Sequence, residues 1–334
     1  MTVGDPLTFD VLALDPLAEA DRIAGRLKET AARDLRKRGF VIAISGGVDS
    51  AVCAALAVRA AGPERVYGLL LPERDSAPAS VTRGRTVAEW LGIRHEIQDI
   101  SPVLEALGCY RERDTAIRRV VPNYGSDWKC KITIAGGRDG RINHFRLVVE
   151  SPAGEQREQR LPLDEYLQIV AATNYKQRVR KAIEYFHADR LNYAVVGAPN
   201  RLEYDQGFFV KSGDGAADVK PIAHLYKTQV YDLARALGVP ADIVDATPTT
   251  DTYSLIQGQD EFYFALPYHQ MDLALWGRNH DIPAAALASA LGITPNDAQR
   301  VYDDIDAKRR ATTYLHRQPM VMEPVPEVGG GLTD

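Results

Sequence analysis

The sequence is poor in cysteine, in long apolar runs and in excess charge of either sign. Three cysteines in 334 residues, Cys53, Cys109 and Cys130, are too few and too scattered for a disulfide framework or a zinc site. Their scarcity points to a reducing compartment, the cytoplasm. The longest apolar stretch, 41–58, is interrupted by Asp49 and two glycines, too polar for a membrane span. The opening residues MTVGDPLTFD lack a basic segment followed by an apolar one, so no signal peptide is expected. Forty Lys and Arg against 45 Asp and Glu give a net charge of −5. That excludes a generally basic nucleic-acid coat and requires any anion-binding site to be local. The seven histidines form no ligand-spaced pair. What is present, 45% hydrophobic and 25% charged residues, describes a globular chain with a sizeable core.

The apolar pattern alternates between strand and helix. Asp15 as N-cap, Pro16 at the first helical position and apolar residues Leu17, Ile23, Leu27, Ala31 and Leu35 predict a helix that ends at Gly39. Phe40–Ile44, Val66–Leu71 and His95–Ile100 read as strands. Asp49–Ala61 and Ser80–Leu91 read as helices between them. This order predicts an α/β fold, a parallel sheet with helices on both faces. From Cys109 to Arg160 no helical period is evident, and Lys129–Ile134 and Phe145–Val149 suggest a β-hairpin about the turn Gly136–Gly140. With 11 Lys and Arg against 7 Asp and Glu, residues 109–160 carry +4, which leaves −9 on the rest. The segment is either a solvated surface hairpin or an insertion that shapes a site for an anionic substrate. The regular pattern resumes with a helix from Asp164 to about Asp189, the strand Tyr193–Gly197, a polar glycine-rich loop Ala198–His224, and the helix Tyr226–Leu237. Helices from about Pro267, Pro283 and Thr294 follow, and the proline-rich tail 323–334 is expected to fray. The expectation is one domain over 1–334, interrupted by the 109–160 insertion.

The hexapeptide Ser45-Gly46-Gly47-Val48-Asp49-Ser50 joins a predicted strand to a predicted helix. Two glycines permit a tight turn with bare N–H groups, Ser45 and Ser50 add hydroxyls, and the helix points its positive end at the same place. Such a loop suits a pyrophosphate. Asp49 would repel phosphate unless a cation intervenes, which implies Mg²⁺. The other common phosphate loop, GxxxxGK[ST], is absent.

This motif resembles the SGGxDS signature of the N-type ATP pyrophosphatases, and within them the chain is most similar to the NAD synthases. The resemblance extends through Asn174-Tyr175-Lys176-Gln177-Arg178-Val179-Arg180, Glu203, Lys211-Ser212-Gly213-Asp214, Asp218, Leu225-Tyr226-Lys227-Thr228-Gln229, Pro248-Thr249, Gly258-Gln259-Asp260-Glu261 and Lys308-Arg309. It implies that a carboxylate attacks the α-phosphate of ATP, pyrophosphate leaves, and ammonia displaces AMP from the acyl adenylate to form an amide. Cations and N–H donors must be preorganised where that charge concentrates. The resemblance assigns Ser45–Ser50, Arg178, Lys227 and Thr249 to ATP, and Asp49 and Glu203 to Mg²⁺. It assigns Asn174, Asp218 and Lys308 to the acyl substrate, and makes Asp49, Lys227, Lys211 and Asp214 the catalytic set. Lys211 and Asp214 lie in a segment that reads as a lid over the adenylate, which water would otherwise hydrolyse. Lys227 opens a helix, where a cation opposes the helix dipole unless an anion faces it. A homodimer is implied as well, with ammonia supplied free or by a separate glutaminase, because no glutaminase domain is recognisable in the chain.

Several positions depart from the family pattern. Ala198 replaces a frequent threonine, and Leu70 stands where an arginine often precedes Leu-Pro. The 109–160 insertion falls where relatives build their acyl pocket, and 250–254 also differs. The acid therefore stays open between a deamido dinucleotide and another carboxylate, such as an acidic sugar or a natural-product intermediate. Nucleic-acid thiolation on the same fold would need a basic face and catalytic cysteines, of which only the insertion offers a hint. An inactive nucleotide-binding protein is the remaining alternative, and retention of Asp49, Glu203 and Lys227 argues against it.

Overall fold

The computed structural model describes residues 6–135, 144–247, 253–255, 263, 266–323 and 325. Thr249, the 258–261 motif, the turn 136–140 and most of the tail lie outside them.

Strands β1 (Phe40–Ala43), β2 (Val66–Leu70), β3 (Arg94–Ile97) and β7 (Ala194–Val196) form one parallel sheet in the order β3-β2-β1-β7. The inner strands are apolar on both faces, as buried parallel strands must be. Phe40, Ile42, Ala194 and Val196 face a core built with α1 (Pro16–Glu29), α2 (Val48–Ala61), α3 (Pro78–Trp90) and α8 (Lys227–Leu237). Val41, Tyr67, Leu69 and Val195 face the opposite core, against α4 (Ser101–Ala106), α5 (Cys109–Val120) and α6 (Leu163–Leu191). Helices thus cover both faces, as the sequence predicts. Asp15 caps α1, its carboxylate accepting from the amides of Leu17 and Ala18 at 3.1 Å.

The stretch 109–160 differs from its expectation in two ways. Its first part is a helix, α5. That helix's buried face sets two charged residues, Arg113 and Asp114, among Cys109, Tyr110, Ala116 and Ile117, which interrupts the apolar stripe. Its second part has three strands: β4 (Lys129–Ala135) and β5 (His144–Glu150) are joined by the antiparallel β6 (Gln156–Arg160). Every residue of β6 is exposed, so its sequence QREQR carries no alternation of apolar and polar positions. One face of this sheet, Cys130, Ile132, Leu147 and Val149, packs on Ala116 and Ile117 of α5, Ile169 of α6, and Tyr253.

The predicted loop 198–224 contains a short helix, α7 (Arg201–Gln206). After α9 (Ala241–Val244), the helices α10 (Tyr268–Asn279), α11 (Ala284–Leu291) and α12 (Pro295–His316) form a C-terminal bundle with its own core. No helix among the described residues is long and apolar enough to cross a membrane.

Candidate functional site

The strand order turns at β1, which has β2 on one side and β7 on the other. Open α/β sheets bind ligands beyond the carboxyl ends of strands at such a turning point. The hexapeptide 45–50 lies there, directly after β1. Gly46 has φ +83°, and a Cβ on it would come within 2.4 Å of the Ser80 carbonyl oxygen at the start of α3. Only glycine meets both demands. Ser50 fixes the loop from inside. Its hydroxyl donates to the Gly47 carbonyl at 2.9 Å, accepts from the Ser45 amide at 3.2 Å, and lies 3.1 Å from the Ser45 hydroxyl. Gly47 is the N-cap of α2 and offers no side-chain cap, so the first-turn amides at Val48, Asp49 and Ser50 face the same mouth.

Three charged groups converge beside this loop. The Lys227 ammonium donates to Asp49 Oδ2. The Asn200 side-chain amide donates to Asp49 Oδ1 at 3.4 Å, and the Asn200 backbone amide donates to Glu203 Oε2 at 3.0 Å. Burial, and then the Asp49 charge, pushes the Glu203 carboxyl up to about 8. Burial works against the Lys227 charge as well, but Asp49 and Glu203 outweigh it and raise that group. Two acidic groups and one ammonium converge there, and a bound cation would favour the ionised form of Glu203 that burial disfavours. Hard oxygens in this number fit Mg²⁺, which takes one or two carboxylates and fills its shell with phosphate and water. No group of three or more metal-type side chains occurs among the described residues.

Fully buried Lys227 sits in the first turn of α8, where the helix dipole is unfavourable to it. The anion that faces it is Asp49. A second carboxylate, Asp272 on α10, accepts from the backbone amides of Lys227 at 3.1 Å and Thr228 at 2.7 Å. Asp272 is fully buried, and burial pushes its carboxyl up to about 6.

The other predicted residues fall into separate groups. Asp214 accepts from the Val210 amide at 2.7 Å and closes the turn that carries Lys211; burial raises its carboxyl. The Lys211 ammonium donates to the carbonyls of Tyr314 at 2.9 Å and Arg317 at 3.5 Å, at the end of α12. Exposed Arg178 donates to the Lys211 carbonyl at 3.4 Å. Asp218 is fastened to β7, accepting from the Val195 amide at 2.7 Å and from the Tyr185 hydroxyl at 3.4 Å. Half-buried Asn174 lies on α6. Lys308 pairs with Asp304 at 2.6 Å and donates to the Tyr263 carbonyl within the C-terminal bundle.

Sequence reasoning missed three contributors at the loop edge: Asn200, Asp272 and Arg83. Asn200 had a local signal, since Asn200 and Glu203 form a capping box at the start of α7. Asp272 and Arg83 had none, because each acts on a residue 45 or 37 positions away. Sequence reasoning also missed a buried ionic network next to the site. Lys176 donates to Glu73 at 2.8 Å and Asp75 at 2.9 Å, Arg113 binds Asp75 at 2.6 Å and Asp114 at 2.8 Å, and the Tyr110 hydroxyl donates to Glu73 at 2.8 Å. At the departing position, Leu70 is buried, and its side chain meets Gly84 of α3.

Comparison with known proteins identifies the family. The family model described as NAD synthase matches residues 21–121 and 149–312, passing over the stretch that holds β4. An NH(3)-dependent NAD(+) synthetase of Rhizobium meliloti (strain 1021) is 56% identical over 320 residues, 96% of each chain. One from Mesorhizobium japonicum is 55% identical over 318 residues, 95% of this chain and 100% of its own. Among solved structures, an NH3-dependent NAD synthetase from Campylobacter jejuni superposes with a TM-score of 0.61 at 18% identity, covering 93% of this chain and 100% of its own. An NMN synthetase from Francisella tularensis superposes with a TM-score of 0.62 at 21% identity, covering 92% and 99%. These two share the fold. With the family model matched over most of the chain, and with sequence identity above one half to full-length relatives, the chain belongs to the NAD synthase family.

Proposed function

We infer that this chain joins ammonia to the carboxylate of a deamido dinucleotide at the expense of ATP, giving NAD, AMP and pyrophosphate. It is an AMP-forming ligase of carbon–nitrogen bonds that uses ATP. The observation that carries the residue-level reading is the cluster of Asp49, Lys227 and Glu203 beside the glycine turn at the end of β1.

The chemistry follows from the charges. A carboxylate is a poor electrophile because amine attack must expel oxide. Its attack on the α-phosphate releases pyrophosphate and yields an acyl adenylate, from which ammonia then displaces AMP. The amides of 46–50 and the hydroxyls of Ser45 and Ser50 would cradle the phosphates, with Lys227 neutralising charge on the leaving pyrophosphate. Asp49 and Glu203 would hold Mg²⁺, which when bound supplies the positive charge these two carboxylates lack. Arg178 and Thr249 complete the proposed ATP contacts, and Asn174, Asp218 and Lys308 the contacts to the acid. Lys211 and Asp214 shield the adenylate from water. Lys211 must then leave the α12 carbonyls on closure.

The relatives are named for ammonia, which supports free ammonia as the nitrogen source over a glutaminase partner. A homodimer is supported by an apolar groove between β3, α4 and α6. It is about 770 Å³ in volume and lined by Val103, Leu107, Val179, Ile183 and Phe186, with Phe186 61% exposed. A monomer in sedimentation at micromolar concentration would reject the dimer. The chain is proposed to act in the cytoplasm as one α/β unit interrupted by 109–160, with 323–334 as a tail.

The test is AMP release with ammonia and a panel of acids: deamido-NAD, the corresponding mononucleotide, and acidic sugars. Turnover is expected with deamido-NAD. No turnover there, with another acid active, would transfer the same chemistry to that acid.

A further inference from the structure

The first turn of α3 lies directly against the phosphate loop. A Cβ on Gly46 would stand 2.4 Å from the Ser80 carbonyl oxygen and 3.2 Å from Arg83 Cβ. From this position Arg83 reaches the loop: its Nε donates to the Gly46 carbonyl at 3.2 Å, and its Nη2 donates to the Ser80 hydroxyl at 3.5 Å. Ser80 itself is buried. Arg83 is half-buried and has no acidic partner among the described residues. Arg113 and Arg309, by contrast, are each held by carboxylates, Asp75 and Asp205. A guanidinium that has lost part of its water and has no counterion is costly, and an arriving oxyanion removes that cost. Two of its five N–H donors are engaged, and the rest remain available.

We propose that Arg83 is a further nucleotide-binding residue, taking a phosphate oxygen of ATP and of the departing pyrophosphate from the α3 side while Lys227 takes them from the α8 side. Its planar fork suits the task. The edge that holds the Gly46 carbonyl fixes the plane in which the other donors meet the phosphate, and a lysine has no such second edge. By holding the Gly46 carbonyl, Arg83 also keeps the neighbouring loop amides turned toward the ligand.

This inference rests on the loop at 45–50 being the ATP site, and the experiment separates the two. The full-length enzyme is compared with Arg83→Gln, Arg83→Lys and Ser50→Ala by initial rates at varied ATP, by inhibition with inorganic pyrophosphate, and by melting temperature. Arg83→Gln is expected to raise KM for ATP and weaken pyrophosphate inhibition by about tenfold or more. The KM for the acid and the melting temperature should stay unchanged. Arg83→Lys should recover part of the loss through its charge. Unaltered KM for ATP and unaltered pyrophosphate inhibition in Arg83→Gln overturn the proposal. So does a uniform rise of every KM with a lowered melting temperature, which would make Arg83 a structural prop. If Ser50→Ala weakens ATP binding and Arg83→Gln does not, only the role of Arg83 falls. If neither variant affects ATP, the loop assignment itself has failed.

Discussion

Two buried charge clusters lie at the same edge of the sheet, and they are built on opposite terms. In the network of Glu73, Asp75, Lys176, Arg113 and Asp114, each of the five charges has an opposite charge within 3 Å. Burial alone would raise the Asp75 carboxyl, but Lys176 and Arg113 outweigh it and hold it down at about 2. In the cluster of Asp49, Glu203 and Lys227, two carboxylates share one ammonium, and Glu203 is driven up to about 8. The first arrangement gives each of its charges a close partner and binds the loop after β2 to α5 and α6. The second keeps one carboxyl driven up beside an ion pair, and it is there that a cation is proposed to bind. Strongly perturbed ionisable groups mark both active sites and structural ion pairs; the direction of the shift, down at Asp75 and up at Glu203, separates the two clusters here.

Removing a charge from each cluster tests that contrast, and the largest effect is expected on catalysis. Asp49→Asn should cut pyrophosphate release by at least about 10³-fold, about 4 kcal/mol of barrier. Because it also takes the paired carboxylate from buried Lys227, its urea midpoint is expected to fall, and activity is compared where circular dichroism shows the variant folded. Wild-type activity in this variant would remove Asp49 from the site. Lys176→Met should act the other way round. It leaves Glu73 and Asp75 buried without their shared cation, at a cost of about 3 kcal/mol or more in urea unfolding. Undiminished stability there would mean that the network is not the closed structural unit its distances indicate.

The smallest effect concerns pH. Asp75 ordinarily titrates at 3.8 and is held near 2 in the folded chain, so its contribution to stability is present above 3.8 and is lost as pH falls toward about 2. Asp75→Asn should be less stable than wild type at pH 7, and the difference should narrow through that window in pH-dependent urea melts. A difference that stays constant would show that the ion pair contributes no linkage.

The glycine turn at 45–50 was legible because everything that makes it is local: two glycines, two serines and an aspartate between a strand and a helix. Glu203 and Lys227 were legible only with the family resemblance, and even then Glu203 was placed in a loop rather than in the capping box of α7. What could not be read is what depends on distant pairing. Asp272 closes the N-terminus of α8 from another helix, and Arg83 binds Gly46 from the next one along the sheet. Helix α5 escaped notice because its inward face includes Arg113 and Asp114, which suit their buried partners rather than an apolar period. Strand β6 escaped because it is polar throughout and forms by hydrogen bonding to β5.

The strand order has a consequence for how the enzyme comes into being. Strand β1 meets β2 after a short crossover, but its other edge pairs residue 40 with residue 194. During synthesis the chain emerges from its N-terminus, so the strand that carries the glycine turn waits with one side unpaired while residues 109–160 are made. Closing so long a loop is slow. The small antiparallel sheet pairs strands close in sequence, so it is expected to form before β7 docks on β1. Slow refolding should therefore coincide with recovery of nucleotide binding, and changes within the insertion should alter the yield of active enzyme before they alter its turnover.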